Sequence, residues 1–156
     1  WNNSIIWRNL SINLFFYGAF DYDRLNISRF TTASMSGGSR FITLRDAYFN
    51  GWDYVENKSD AKYASVKNTD NKSYANTTFW LEDASFIKLK NVTISYTIPR
   101  HITRFADIQL SVSAQDIFTF TKYKGMDPEV YSSYEGLDYG AYPIPRTITF
   151  GLKLTF

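Results

Sequence analysis

The sequence predicts an all-β protein built from five antiparallel strands of a transmembrane β-barrel, with long loops at one end of the strands. Several segments alternate large apolar residues with small or polar ones, which is the pattern of a strand with one apolar and one polar face. Short and long connections also alternate along the chain. Of the 156 residues, 19% are aromatic, and many lie near predicted strand ends, where amphipathic rings meet a membrane interface.

The predicted strands cover residues 2–7, 10–20, 86–98, 107–118 and 146–156. The last strand has the clearest pattern, because every even position from Ile148 to Phe156 carries a large apolar side chain. The segment 10–20 matches the length of a tilted membrane strand, which is roughly 9–11 residues. Both features favour strands that cross a bilayer.

Within the segment 86–98 the apolar positions change parity. Ile87 and Leu89 occupy odd positions, whereas Val92 and Ile94 occupy even ones. An extra residue in one strand of an antiparallel pair produces such a shift, so we expect either a β-bulge or an exit of the strand from the apolar environment near Asn91.

Two long polar segments, about 21–79 and 119–143, separate the predicted strands, while the connections 7–9 and 99–106 are short. In an antiparallel meander this order places both long loops at the same end of the strands. Structureless connections of this length are uncommon in compact soluble domains. Outer-membrane barrels, in contrast, have long extracellular loops and short periplasmic turns. We therefore expect extracellular loops and a periplasmic C-terminus.

In such a barrel the apolar side chains face lipid and the alternating polar ones face the lumen. Leu14, Leu110 and Val112 are expected to face lipid. The residues expected to face the lumen are Asn13, Tyr17, Gln109, Ser111, Ser113 and Gln115. A soluble β-rich carbohydrate-binding or interaction module remains the alternative, since soluble sheets also favour Phe and Tyr. Such a module would pack its apolar faces against one another.

The composition argues against several other functions. Seventeen basic and fifteen acidic side chains give a net charge of +2 with no concentrated basic patch, so nucleic acid is not an expected partner. The chain has no cysteine, and its one histidine, His101, has no nucleophile or paired carboxylate beside it in the sequence. We expect no catalytic residue and no cofactor. Asp127, Glu129, Glu135 and Asp138 could offer oxygen ligands to Ca²⁺ but lack the spacing of a known calcium loop, so we expect no metal site.

Five strands are too few to close a barrel, because even small barrels need about eight. In lipid, every backbone polar group must be paired, so an open sheet edge is not tolerated. If the membrane interpretation is right, the first and last strands pair with strands outside this chain. The opening residues Trp1–Ile5, without Met or a signal-peptide pattern, fit a piece of a longer polypeptide.

Several long motifs carry a specific resemblance. Residues 80–99 read WLEDASFIKLKNVTISYTIP, and residues 115–129 read QDIFTFTKYKGMDPE. Together with 141–147 and 150–156, these segments resemble, in the same order, the SusC/RagA type of TonB-dependent outer-membrane transporter. Residues 1–20 resemble the preceding hairpin of that family more loosely, and 21–79 match in character only. Asp116 departs from the family pattern, which usually has Asn there.

The resemblance implies the last five strands of a 22-stranded barrel in the outer membrane of a member of the Bacteroidetes. Such transporters import oligosaccharides, or sometimes oligopeptides, with energy supplied through TonB. They carry an N-terminal plug and work with a SusD-like surface lipoprotein. The plug and the TonB-binding segment would lie in a part of the protein that this chain does not include.

Two further groups of residues are candidates for function. Aromatic residues of the long loops could stack on substrate sugars, or could equally pack against the lipoprotein or other loops; these are Trp52, Tyr54, Tyr131, Tyr134 and Tyr139. In outer-membrane barrels generally, a terminal aromatic on an alternating strand is read by the assembly machinery. By this resemblance the expected assembly signal consists of Phe150, Leu152, Leu154 and Phe156. A ring that merely anchors the strand at the interface is the alternative.

Overall fold

A computed structural model describes residues 1–34, 44–65, 77–129 and 136–156 of the chain. The chain divides into two compact units. The sheet unit comprises Trp1–Phe20, Ser85–Lys122 and Ile144–Phe156. The loop unit comprises Asp21–Ala84 and Tyr123–Pro143.

The strands, in chain order, are β1 (Asn2–Trp7), β2 (Leu10–Ala19), β3 (Asp23–Asn26), β4 (Leu81–Asp83), β5 (Phe86–Ile98), β6 (Asp107–Thr121), β7 (Leu137–Asp138) and β8 (Thr147–Thr155). The helices are α1 (Ile27–Ser34), α2 (Arg45–Phe49) and α3 (Arg100–Thr103). Single 3-10 turns occupy Lys58–Asp60 and Thr78–Trp80. No helix in the described ranges is long and apolar enough to cross a membrane.

The sheet unit is a five-stranded antiparallel sheet in the order β1-β2-β5-β6-β8. Strand β6 continues to Thr121, so residues 119–121 belong to a strand and not to the loop proposed from the sequence. The short connection between β5 and β6 contains α3. Its first amide, Arg100 N–H, donates to the Asp107 carboxylate at 2.6 Å, and Arg104 ends the helix with φ 71°.

The expected bulge lies in the middle of β5. The pairing of β5 with β2 skips Lys90, between Leu89 and Asn91, which confirms the predicted bulge. In the pairing of β5 with β6, Lys90 lies opposite two unpaired β6 residues, Asp116 and Ile117. Because β2 runs through this point without an insertion, Lys90 is the extra residue. On the neighbouring strand Asp116 adopts φ 51°, a conformation that favours Gly and Asn. The bulge keeps the apolar side chains on one face although their sequence parity changes.

The loop unit is not structureless, in contrast to the sequence interpretation of 21–79 and 119–143 as loops alone. It contains a three-stranded sheet in the order β4-β3-β7, with β3 and β7 parallel. A small core supports it; the buried residues of this core are Phe30, Ala33, Ala47, Tyr63 and Trp80. Strands of two to four residues are too short to show alternation, so the sequence pattern did not reveal them.

Candidate functional site

One face of the five-stranded sheet is mainly polar. Residues that oppose each other on neighbouring strands project from the same face of a sheet. One row across the sheet consists of Ser4, Asn13, Thr93, Ser113 and Thr149, and the next of Ile6, Ser11, Ser95, Ser111 and Gly151. Gln109 and Gln115 have the same parity on β6, and Tyr17 the same parity on β2. The register thus brings all six proposed lumen-facing side chains to one face.

The opposite face is apolar and exposed. Ile5, Ile12, Ile94, Val112 and Phe150 form one row, and Trp7, Leu10, Tyr96, Leu110 and Leu152 the next. Leu110 is 48% exposed, Leu152 66% and Phe150 78%. In a water-soluble sheet these side chains would be the buried ones. The packing of apolar faces that a soluble module requires is therefore not observed in the sheet unit.

The last strand carries the residues of the proposed assembly signal. Phe150, Leu152 and Leu154 lie on the apolar face of β8, and Phe156, 82% exposed, follows the strand. Among the described strands β8 pairs with β6 only, and β1 pairs with β2 only. Both outer edges of this sheet are therefore open. The role of Phe156 in assembly stays a prediction.

Charged side chains gather at the bulge on the polar face. Lys90 Nζ lies 4.0 Å from Asp116 Oδ1 and 5.6 Å from the ring centre of Tyr17. Lys88, opposite Tyr17, is 1% exposed. The positive φ of Asp116 and the buried oxygen of its side chain were not foreseen from the sequence. The family preference for Asn at this position was the one available signal.

Three of the five aromatic rings proposed as loop contacts lie in the described part of the loop unit. Trp52 and Tyr54 lie in one segment of the loop unit and Tyr139 in another, and all three are exposed. The Tyr54 ring packs against that of Tyr48, with 4.5 Å between ring centres. Tyr131 and Tyr134 lie outside the described residues. The structure therefore leaves three of the five rings accessible for contact and describes nothing of the other two.

A cavity of about 560 Å³ opens in the loop unit. Its lining residues come from the start of α1, from α2 and from the segment after Tyr123; they are Asn26, Ser28, Arg29, Thr32, Leu44, Arg45, Asp46, Tyr63, Lys124, Gly125 and Met126. This volume is within the usual range for small-molecule sites, roughly 300–1,000 Å³. The sequence interpretation did not identify this cavity, because its residues are far apart in the chain and follow no common motif.

A chain of hydrogen bonds crosses one wall of this cavity. Arg29 Nη1 pairs with Glu82 Oε1 at 2.6 Å, and Arg29 Nη2 donates to the Tyr63 hydroxyl at 3.0 Å. The Tyr63 hydroxyl in turn donates to Asp46 Oδ2 at 2.6 Å. The Arg29 guanidinium also lies 5.7–6.0 Å from the ring centres of Tyr63, Phe79 and Trp80. These contacts restrain the Arg29 side chain at this wall of the cavity.

Two protonation equilibria in the loop unit respond to these contacts. The hydrogen bond from Tyr63 holds the pKa of the Asp46 carboxyl below its usual value, and Asn50 adds a second hydrogen bond in the same direction. Burial, together with the hydrogen bond to Asp46, raises the pKa of the Tyr63 hydroxyl. Asp46 is thus kept charged and Tyr63 neutral.

Two of the carboxylates considered for calcium, Asp127 and Asp138, accept hydrogen bonds within the protein. Asp138 is buried and accepts hydrogen bonds from the Tyr123 hydroxyl at 2.6 Å and from Gly140 N–H at 2.7 Å. Asp127 accepts one from Glu129 N–H at 3.0 Å. Glu135 lies outside the described residues. No group of three or more His, Asp or Glu side chains suited to a metal occurs in the described part of the chain.

Comparison with known proteins identifies the chain's relatives. No family model matches it. TonB-dependent receptor P3 of Formosa agariphila is 30% identical over 167 residues, which cover 99% of this chain and 16% of the receptor. TonB-dependent receptor SusC of Bacteroides thetaiotaomicron is 26% identical over 126 residues, which cover 67% of this chain and 12% of the receptor. The chain spans about a sixth or less of the length of these relatives.

Two solved structures share the fold. The RagAB peptide importer in an open-open state aligns with a TM-score of 0.75 and 24% identity, covering 96% of this chain and 16% of that one. Its closed-closed state aligns with a TM-score of 0.71. At this identity the likeness establishes the fold alone, that of a stretch of barrel wall with its loops. The sequence motifs, the two-faced sheet and the relatives all lead to the same conclusion. The chain belongs to the SusC/RagA family of TonB-dependent receptors, as a segment of the β-barrel.

Proposed function

We propose that this chain forms part of the wall and extracellular loops of an outer-membrane, TonB-dependent importer of oligosaccharides or oligopeptides. The observation that carries the proposal is the two-faced sheet, with a polar face and an exposed apolar one. An exposed apolar surface of this extent would aggregate in water but is stable against lipid. The relatives described above, which are named TonB-dependent receptors, support the same conclusion.

In this proposal the apolar face contacts outer-membrane lipid and the polar face lines the lumen beside the plug. Asn13, Gln109 and Ser113 would then meet water or plug residues, whereas Leu110 and Val112 would meet acyl chains. The open edges of β1 and β8 would pair with further strands of the same barrel, since lipid supplies no partners for backbone N–H and C=O groups. TonB would act through the part of the receptor that lies outside this chain.

The loop unit would lie outside the cell, and the C-terminus in the periplasm. The exposed rings of the loop unit, Trp52, Tyr54 and Tyr139, would contact substrate or a SusD-like lipoprotein. RagAB, which shares the fold, is named a peptide importer. The family resemblance implies oligosaccharides as well as oligopeptides, so both ligand classes stay within the proposal.

A matched pair of lysine substitutions tests the facing of the sheet. In the full-length receptor, Leu110→Lys would place a charge against lipid, which costs roughly 2–4 kcal/mol near the bilayer midplane. Ser111→Lys, the next residue on β6, would place the same charge on the polar face. We expect Leu110→Lys to reduce the heat-modifiable barrel in outer-membrane fractions and Ser111→Lys to leave most of it. Equal amounts of assembled barrel for both variants would refute the facing.

A further inference from the structure

The cavity of the loop unit carries an excess of positive charge. Three cationic side chains line it, Arg29, Arg45 and Lys124, whereas Asp46 is the one carboxylate among its lining residues. Concave surfaces lined mainly by one sign of charge concentrate ligands of the opposite sign. Whether each of these three cationic side chains can bind a ligand depends on the carboxylates with which it is already paired.

Arg29 already forms an ion pair with Glu82. One Glu82 oxygen pairs with Arg29 at 2.6 Å, and the other accepts a hydrogen bond from Lys124 N–H at 3.0 Å. The Asn26 side chain amide lies 3.5 Å from that second oxygen. Glu82 therefore neutralises Arg29 and has both oxygens engaged within the protein.

Asp46 has both of its oxygens engaged as well. Oδ2 accepts from the Tyr63 hydroxyl, and Oδ1 accepts from the Asn50 side chain amide, each at 2.6 Å. These hydrogen bonds explain why the carboxyl is charged without a cation in direct contact. Asp46 therefore accepts a hydrogen bond at each oxygen, and in the described residues it forms no ion pair with Arg45 or Lys124.

Arg45 and Lys124 are both exposed at the cavity. Within the described ranges neither side chain forms an ion pair with a carboxylate, and the Arg45 guanidinium lies 5.6 Å from the Phe49 ring centre. Three cations against the two carboxylates Asp46 and Glu82 leave one net positive charge at the cavity. That excess matches a ligand group with a single negative charge.

We propose that this cavity binds a carboxylate carried by the imported ligand, with Arg45 and Lys124 as its charged contacts. Guanidinium and ammonium groups form their strongest hydrogen bonds with such anions. Asn26, Ser28 and Thr32 add polar groups to the wall, and Leu44 and Met126 add apolar surface. The proposal rests on the proposed import function and names the chemical group that the loops select. A uronic acid of an oligosaccharide and the C-terminus of a peptide share this chemistry.

Binding measurements on the full-length receptor in detergent test the proposal with two matched probe pairs. The first pair is a galacturonate tetrasaccharide and its fully methyl-esterified form. The second is an N-acetylated alanine tetrapeptide with a free carboxylate and its C-terminal amide. The test variant is Arg45→Gln combined with Lys124→Gln, and the control is Lys122→Gln, an exposed lysine that does not line the cavity. Heat-modifiable gel migration verifies that each variant assembles.

We expect the double variant to lower the affinity for the free acid of one pair at least tenfold and to leave its neutral counterpart and the Lys122→Gln control unchanged. The pair that responds identifies the source of the carboxylate. Equal losses for acid and neutral probes, no loss for either acid, or no binding of either acid to the unaltered receptor would each overturn the proposal. Import of neutral probes by whole cells would then still support the proposed function, whereas an assembled receptor that imports nothing would refute that function itself.

Discussion

At the scale of single residues, the buried polar side chains in the described part of the loop unit have hydrogen-bond partners. Asn26, 1% exposed, accepts a hydrogen bond from Arg29 N–H at 2.8 Å and so caps the start of α1. Tyr123 donates to the buried carboxylate of Asp138, and Tyr22 donates to the Pro128 carbonyl. Unpaired, such buried groups would cost about 1–3 kcal/mol each. Side-chain hydrogen bonds therefore complement a core of only a few apolar residues.

The Asp46–Tyr63 hydrogen bond makes the loop unit sensitive to acid. The pKa of Asp46 is lowered from its ordinary 3.8 in the folded state, so its contribution to stability is fully present above about pH 4 and is lost as the pH falls through the lowered value. We expect digestion of the loop segment by an acid-active protease to increase below about pH 4. Tyr63→Phe removes the donor and returns the pKa of Asp46 toward its ordinary value, so it should increase digestion above pH 4 and reduce the further increase below that pH.

The matched control for this measurement is Asp60→Asn, which removes an exposed carboxylate that lies elsewhere in the loop unit. It should leave the pH at which digestion begins unchanged. An identical digestion profile for Tyr63→Phe and the unaltered receptor would show that the hydrogen bond does not cause the acid sensitivity.

At the scale of elements, the strands and the loop unit depend on different interactions. The five strands are held by backbone ladders that run along their full paired lengths. The loop unit depends on a few side chains, including Ala47 from α2 and Trp80 from the turn before β4. Damage to the loop unit should therefore leave the ladders in place.

Replacing residues 45–54 by a Gly-Ser linker of equal length tests this independence. The replacement removes Ala47 from the small core and takes away the exposed rings Trp52 and Tyr54. We expect the barrel to assemble and show normal heat-modifiable migration, because surface loops tolerate change. Substrate capture or lipoprotein docking should fall in pull-down and uptake assays. Loss of all assembled barrel would contradict the separation of the two roles.

At the scale of the whole molecule, the five-stranded sheet is incomplete without further strands. It combines two open edges with an exposed apolar face, and each feature promotes association in water. In a closed barrel, neighbouring strands would cover the edges and lipid would cover the face. We therefore expect the same sheet to associate in water and to be stable in a membrane.

Expression of residues 1–156 alone tests this conclusion at the level of the chain. Without the remaining strands we expect aggregation in buffer and no heat-modifiable band in detergent, whereas the full-length receptor should give one. Size-exclusion chromatography and gel migration measure both outcomes. A monodisperse monomer in buffer without detergent would instead favour the soluble β-rich module.

The sequence alone determined the membrane character of the sheet and the family. Alternation is a local property, so Ile148 to Phe156 or Ile108 to Gln115 predict a two-faced strand without knowledge of their neighbours. The parity change around Asn91 likewise predicted the bulge that the strand register shows. The long motifs at 80–99 and 115–129 led to the same family as the relatives.

Only the tertiary structure located the core and the cavity of the loop unit. Arg29, Tyr63 and Glu82 are separated by tens of residues, and the polar segments that carry them show no period that would pair one with another. The cavity and its excess charge arise when β3, α1, α2 and the segment after Tyr123 pack together. Strand alternation is encoded residue by residue, whereas a binding site in a loop depends on contacts between distant segments that only the folded chain brings together.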